Sequence, residues 1–331
     1  MMLVATSAMA QDATPEIQAE RVIELPSGPA GTEPPVLSAV SLSRDGQLLA
    51  TGGDDHVVRI WNMNGSLAHE IRGHSDWVRS LAFSPVADVL ASGSDDHTVR
   101  FWDAKTGDIL RTIRVGEHPV FCLAYSPNGA LLAASGFEDQ LHLYDTESGK
   151  LVQELPCAST DVRALTFSPD GSMLAAAGRN GHIRVWNTSD YSVLHDINAH
   201  RQRIRALAFS PDGTKLASGA EDRQLRIWQA KTGVELVTLP SRPGKIHSLV
   251  FCGAGTLATG SSDNTIRVWD VTTRNEVLRL VGHTGSVTAL EYHHTSGTLV
   301  SVSFDTSART WKPSREKVNI ARQPEESPAA R

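Results

Sequence analysis

Between residues 36 and 312 short apolar runs alternate with polar turns, and the alternation itself repeats. Val57-Val58-Arg59-Ile60 runs into Trp61, and Thr98-Val99-Arg100-Phe101 runs into Trp102. The same register continues through Tyr144, Trp186, Trp228, Trp269 and Trp311, at intervals of 41, 42, 42, 42, 41 and 42 residues. Self-similarity at such a period marks a repeat architecture. The alternation predicts strands, and no segment has the length and 3.6-residue periodicity of a helix.

Turn chemistry cuts each unit into four. Ser168-Pro169-Asp170-Gly171 and Ser210-Pro211-Asp212-Gly213 place Pro second and Gly fourth, as a type I turn prefers. Ser126-Pro127-Asn128-Gly129 and Ser43-Arg44-Asp45-Gly46 are variants of it. A second turn centres on acidic pairs such as Asp54-Asp55 and Asp95-Asp96, and a third on Lys105-Thr106-Gly107 or Lys231-Thr232-Gly233. In the second unit these turns leave strands at about Val78–Ser84, Val89–Ser94, Thr98–Ala104 and Ile109–Val115. Four strands per unit, repeated radially, make the blade of a propeller. The expectation is an all-β chain: a seven-bladed β-propeller of four-stranded antiparallel blades over residues 21–320, with a flexible C-terminal tail at 321–331.

Composition narrows the function. The chain has 331 residues, 40% of them hydrophobic and 21% charged, with a net charge of −6. Both signs are spread along it, which disfavours nucleic acid as a partner, because that affinity rests on phosphate neutralisation. No apolar run approaches the ~20 residues of a membrane-spanning helix. Cys122, Cys157 and Cys252 are odd in number and lack a CxxC pair, so neither a disulfide framework nor a zinc site is indicated. Cys122 and Cys252 sit in apolar segments and read as small buried hydrophobes.

At the amino terminus, Leu3 to Ala10 is a short run of apolar and small residues ending Ala8-Met9-Ala10, followed by polar Gln11-Asp12. Ala8 and Ala10 stand where a signal peptidase reads small residues, although a basic segment ahead of them is missing. Residues 1–20 are therefore expected to be the remnant of a signal peptide, and the protein extracytoplasmic, either periplasmic or secreted. The alternative is a disordered N-terminus on a cytoplasmic protein.

Polar residues recur in step with the aromatic markers. Six residues before the marker lie Asp55, Asp96, Asp222, Asp263 and Asp305, with Glu138 and Asn180 in units three and four. Ten residues before it lie Ser92, Ser218, Thr259 and Ser301, and eighteen before three of those lie His74, His200 and His283. Ser, His and Asp together invite a hydrolase reading, but the set occurs three times and has no Gly-x-Ser-x-Gly elbow. His293-His294 reads as a solvated turn, and no Gly-rich phosphate loop is present. No catalytic residue, metal or cofactor is expected.

The sequence resembles the WD-repeat family over about residues 36–312. Trp102-Asp103 and Trp269-Asp270 carry the dipeptide itself, with Tyr144-Asp145 as a variant; Gly73-His74 and Gly282-His283 carry the Gly-His, with Ala199-His200 close to it. The resemblance implies a structural tetrad running from the indole through Ser or Thr and His to Asp. It is complete in unit two (Trp102, Ser92, His74, Asp96), unit five (Trp228, Ser218, His200, Asp222) and unit seven (Trp311, Ser301, His283, Asp305). Units one, four and six lack the histidine, and His118 in unit three stands two residues late.

The family's usual contact face, formed by the loop leading into the first strand and the tight turn before the third, implies candidate binding residues. These are Trp77, Arg79 and Asp95 in unit two, Phe121 and Phe137 in unit three, and Phe304 in unit seven. Units four to six add Asp161, Arg163, Arg179, Arg203, Arg205, Glu221, Lys245 and His247. An aromatic sector thus lies beside a basic one, and aromatics and arginines are favoured anchors of interfaces. The function so implied is a non-enzymatic, monomeric scaffold for an acidic or mixed acidic–aromatic protein or peptide. The alternatives are a propeller enzyme with a site in its central channel, or a nucleic-acid platform built on the arginines.

Two segments compete for the outer strand of unit seven. Lys317-Val318-Asn319-Ile320 has normal spacing from Trp311, whereas Val22-Ile23-Glu24-Leu25 has the better apolar pattern. Arg21–Leu25 is the expected strand, clasping the two ends of the chain.

Overall fold

The computed structural model describes residues 14–25 and 34–313. Its sheets are those of a seven-bladed propeller. Blade one is Leu37–Leu42, Leu48–Gly53, Val57–Asn62 and Leu67–Arg72, in that spatial order, and blades two to five repeat it without crossovers. Consecutive strands within a blade pair antiparallel, as in blade one, because tight turns join them. The SPDG-type turns work because Gly171 and Gly213 take φ of 73° and 68°, which a side chain would resist.

The core lies between blades. Trp102 of blade two packs with Ala50, Val58 and Ile60 of blade one, and Trp228 of blade five with Ile183 and Val185 of blade four. Each marker aromatic therefore fastens its own blade to the preceding one, the nearest-neighbour logic of repeat proteins. The first strands stand side by side around the axis, and Val287–His293 of blade seven meets Leu37–Leu42 of blade one to close the ring.

Closure uses the amino-terminal segment, in agreement with the expected clasp. β2 (Arg21–Glu24) pairs antiparallel with Ser307–Trp311 and supplies the outer strand of blade seven. Ile23 and Leu25 are buried in a cluster with Leu37, Trp61, Val300 and Val302, which spans blades seven and one. The competing segment 317–320 lies outside the described residues, as do the Ala8-Met9-Ala10 motif and the tail at 321–331. A further pairing was not expected: β1 (Glu16–Ile17) runs parallel to Asn275–Leu280 and makes blade six five-stranded. Regular structure thus begins ahead of the Arg21 boundary expected for the propeller.

Candidate functional site

The recurring polar residues form buried chains. In blade two the Trp102 indole N–H donates to Ser92 Oγ at 2.8 Å. Ser92 meets His74 Nε2 at 2.7 Å, and His74 Nδ1 meets Asp96 at 2.8 Å. Asp96 also accepts the backbone N–H groups of Ser75 and Thr98, so the chain ties a loop and a tight turn to the strand interior. Blade five repeats this as Trp228–Ser218 at 2.9 Å, Ser218–His200 at 2.7 Å and His200–Asp222 at 3.1 Å. Blade seven does so as Trp311–Ser301 at 2.9 Å, Ser301–His283 at 2.7 Å and His283–Asp305 at 2.8 Å. Burial, the largest single influence, would raise the pKa of Asp96 and Asp305. Hydrogen bonds from His74 and Thr98, and from His283 and Ser307, outweigh it and hold both well below the usual carboxylate range. Burial lowers His200, which keeps its ring neutral at neutral pH, with Asp222 opposing that shift. Each serine is sealed between an indole and an imidazole, so none of the three triads is open to a substrate.

The other blades solve the same problem differently. Trp61 donates to Thr51 at 2.9 Å and Trp269 to Thr259 at 3.0 Å. In place of a histidine, blades one and six use an arginine against the turn carboxylate, Arg59–Asp55 and Arg267–Asp263, each at 2.7 Å. Thr51 escaped the sequence reading, although it stands ten residues before Trp61 like the others. His118 packs at 6.4 Å on the Phe137 ring and joins no such chain. His293 is held by Ser296 and the Arg44 carbonyl in its turn. Among the described residues no group of His, Cys, Asp and Glu could hold a metal ion.

Around the axis the second residue of every first strand points to one end of the channel. Ser38, Arg79, Phe121, Arg163, Arg205, His247 and Thr288 line a cavity of about 280 Å³, followed by aliphatic residues such as Leu81, Leu123 and Leu165. The sequence did not suggest that polar groups converge here; strand alternation brings in arginines and one histidine, but no carboxylate lines this cavity. The expected aromatic and basic sectors also interlock. The Arg79 guanidinium lies 4.1 Å from the Trp77 ring centroid, and Arg163 lies 3.6 Å from that of Phe121. Phe121 and Phe137 meet edge to face at 6.5 Å, and Phe137 and Phe304 are half-exposed.

The basic sector is largely paired within the chain. Asp95 holds Arg79 at 2.6 Å, and Asp161 holds Arg163 at 2.5 Å and Arg203 at 2.9 Å. Glu221 bridges Arg205 at 2.6 Å, Arg203 at 3.3 Å and Lys245 at 3.4 Å. Burial pushes Glu221 up, but Arg205, Lys245 and Arg203 together hold it below its ordinary value. Arg179 stands apart, exposed in the tight turn of blade four.

Seven four-stranded blades, indole-anchored chains and a closing clasp define a propeller of the repeat class. Six stretches, residues 27–62, 65–103, 149–187, 191–229, 233–270 and 274–312, match the family described as WD domain, G-beta repeat. The chain belongs to the WD-repeat family. Residues 116–163, spanning the four strands of blade three and reaching blade four, match the Anaphase-promoting complex subunit 4 WD40 domain. One similar protein is the Nuclear distribution protein PAC1 of Mycosarcoma maydis, 42% identical over 57 residues, which is 17% of this chain and 13% of that protein. Another is the Protein transport protein SEC13 of Kluyveromyces lactis, 50% identical over 40 residues, 11% of this chain and 13% of that one. The matched stretch is thus a small part of either relative's length. No helix among the described residues is long and apolar enough to cross a membrane.

Proposed function

We propose that this propeller is a non-enzymatic scaffold that binds a protein or peptide on the face formed by the loops leading into the first strands and the tight turns. The observation that carries the reading is the interlocked surface of Trp77, Arg79, Phe121 and Arg163, with Phe137 and Phe304 half-exposed beside it. Aromatics and arginines held on a rigid frame bind at low entropic cost. The channel offers one histidine and no carboxylate, a poor set for acid–base chemistry. Pairing of the channel arginines with Asp95, Asp161 and Glu221 leaves little positive charge there for a phosphate backbone. The scaffold acts as a monomer, its partner presents acidic and aromatic side chains, and the Ala8-Met9-Ala10 motif supports an extracytoplasmic location. The test is affinity capture from the native source with the wild type and a Trp77→Ala/Phe137→Ala/Phe304→Ala variant. A specific partner should be lost from the variant while its Tm stays unchanged; equal capture by both would remove this face from the account.

A further inference from the structure

On the candidate face, the aromatic cluster at the channel mouth and the positive charge open to a partner do not coincide. Where the arginines of the channel mouth are neutralised by carboxylates of this chain, Arg201 and Arg223 are exposed and make no ion pair among the described residues. Both line a cavity of about 830 Å³ on the rim between blades five and six, together with Arg226 and Lys245. A second cavity of about 580 Å³, bounded by Asn180 and His182 of blade four, continues from it along the same Arg201 and Arg226. Two carboxylates, Glu221 and Asp222, also line the larger cavity. Both are committed: Glu221 to Arg203, Arg205 and Lys245, and Asp222 to His200 and the Arg201 N–H.

The frame positions these two cations. Arg201 follows His200 and Arg223 follows Asp222, so the buried chain from Trp228 through Ser218 fixes the backbone under both. In the other complete chains the same two positions hold Ser75 and His97 in blade two, and Thr284 and Thr306 in blade seven. Only blade five among the three puts an arginine at each. Cations anchored in advance forfeit less freedom on binding, and a concave surface whose four cations outnumber its two committed carboxylates draws an approaching anion toward Arg201 and Arg223.

We infer that this rim cavity is the docking site for the acidic part of the partner: a peptide segment bearing carboxylate or phosphoserine side chains, gripped by Arg201 and Arg223. The inference rests on the scaffold reading and moves its charge recognition from the channel mouth to the rim. Space for several residues across the two cavities fits a peptide better than a single small anion.

The experiment measures fluorescence polarisation of three labelled peptides on the full chain: alternating Glu and Ser, the phosphoserine–Ser counterpart, and the Gln–Ser control. Wild type is compared with Arg201→Glu/Arg223→Glu, with the gentler Arg201→Gln/Arg223→Asn, and with Arg79→Gln at the channel mouth; Tm is recorded for each. The inference predicts binding of one or both anionic peptides, little of the control, and a loss of about tenfold or more in the Glu pair at unchanged Tm. The gentler pair should lose binding to a smaller extent, and Arg79→Gln, at the channel mouth, should cost less than the Glu pair. Which anionic peptide binds more tightly separates carboxylate from phosphate. Equal binding by wild type and both rim variants, or loss only in Arg79→Gln, overturns the rim site. In that outcome the scaffold reading stands on its own capture experiment. Failure of both peptides alongside binding to vesicles of anionic phospholipid overturns the peptide assignment.

Discussion

Blades four and five are neighbours of the same repeat length, yet their interiors differ at three of the four positions of the polar chain. Blade five joins Trp228, Ser218, His200 and Asp222 in one chain. In blade four the matching positions hold Trp186, Ala176, Ala158 and Asn180. The Trp186 indole is fully buried, and its N–H has no hydrogen-bond partner among the described residues. Asn180 ties turn to loop by a single bond from its side-chain amide to the Ala158 carbonyl. Blade four adds an ion pair on its outer strands, Arg184 with Asp196, which His182 also contacts. Apolar burial of the marker ring is thus what a blade cannot do without. The polar chain is an addition that fastens a loop to the tight turn. It is in blade five that those loops carry the unpaired arginines.

Both blades depend on a closed ring, so the largest effect should come from opening it. Deleting residues 1–25 removes β1 and β2 and exposes the edge of Ser307–Trp311 and half of the cluster around Ile23 and Leu25. The product should aggregate or lose its cooperative unfolding transition, whereas deleting 316–331 should be tolerated; size-exclusion chromatography and circular dichroism distinguish these outcomes. Next comes Ser218→Ala, which strands the Trp228 N–H and the His200 Nε2 together. Chemical denaturation should show a loss of roughly 2–6 kcal/mol, since each of the two buried unsatisfied groups costs about 1–3. Trp102→Phe removes the donor in blade two and trims the buried ring, and about 1–3 kcal/mol is expected from the stranded polar chain. In blade four the opposite change should help. Ala176→Ser gives Trp186 the acceptor that Ser218 gives Trp228, and a gain of about 1 kcal/mol would show that the comparison turns on that one oxygen.

The smallest effects are those of pH. Asp96 and Asp305 are depressed in the folded state, so their contribution is present above the ordinary carboxylate pKa near 3.8 and is lost as pH falls below it. Wild type should lose stability in acid more steeply than a Asp96→Asn/Asp305→Asn variant, which is weaker throughout. Glu291 works in reverse. It accepts the Leu42 N–H at 2.9 Å across the seam of blades seven and one, and burial pushes its carboxyl up to about 8. Stability from the protonated form is full below the ordinary glutamate value of 4.5 and is lost as pH rises through about 8. Glu291→Gln should flatten the stability profile over that window.

Much of this was legible before any coordinates. The marker spacing and the serine, histidine and acid offsets follow from blade geometry, which repeats in the sequence because each blade must satisfy the same turns and the same buried indole. The clasp was legible as well, because Val22-Ile23-Glu24-Leu25 has the pattern of an outer strand. β1 was not: two residues of added parallel strand carry no periodicity. The arginine network around Glu221 was hidden for another reason. Arg203, Arg205 and Lys245 are neighbours of that carboxylate only through side-chain directions across two blades. Thr51 and Ala176 could both have been found by applying the ten-residue offset to every marker and not only to Trp102, Trp228, Trp269 and Trp311.

The central claim is that the buried polar chains hold the frame while the loops they fasten do the binding. It is tested most directly by recording Tm and partner capture, below the melting range, for Ser218→Ala and for Trp77→Ala/Phe137→Ala/Phe304→Ala side by side. The account predicts a lowered Tm with capture retained for the first, and an unchanged Tm with capture lost for the second. The reverse pattern, or two variants that lose stability and capture together in the same proportion, would contradict it.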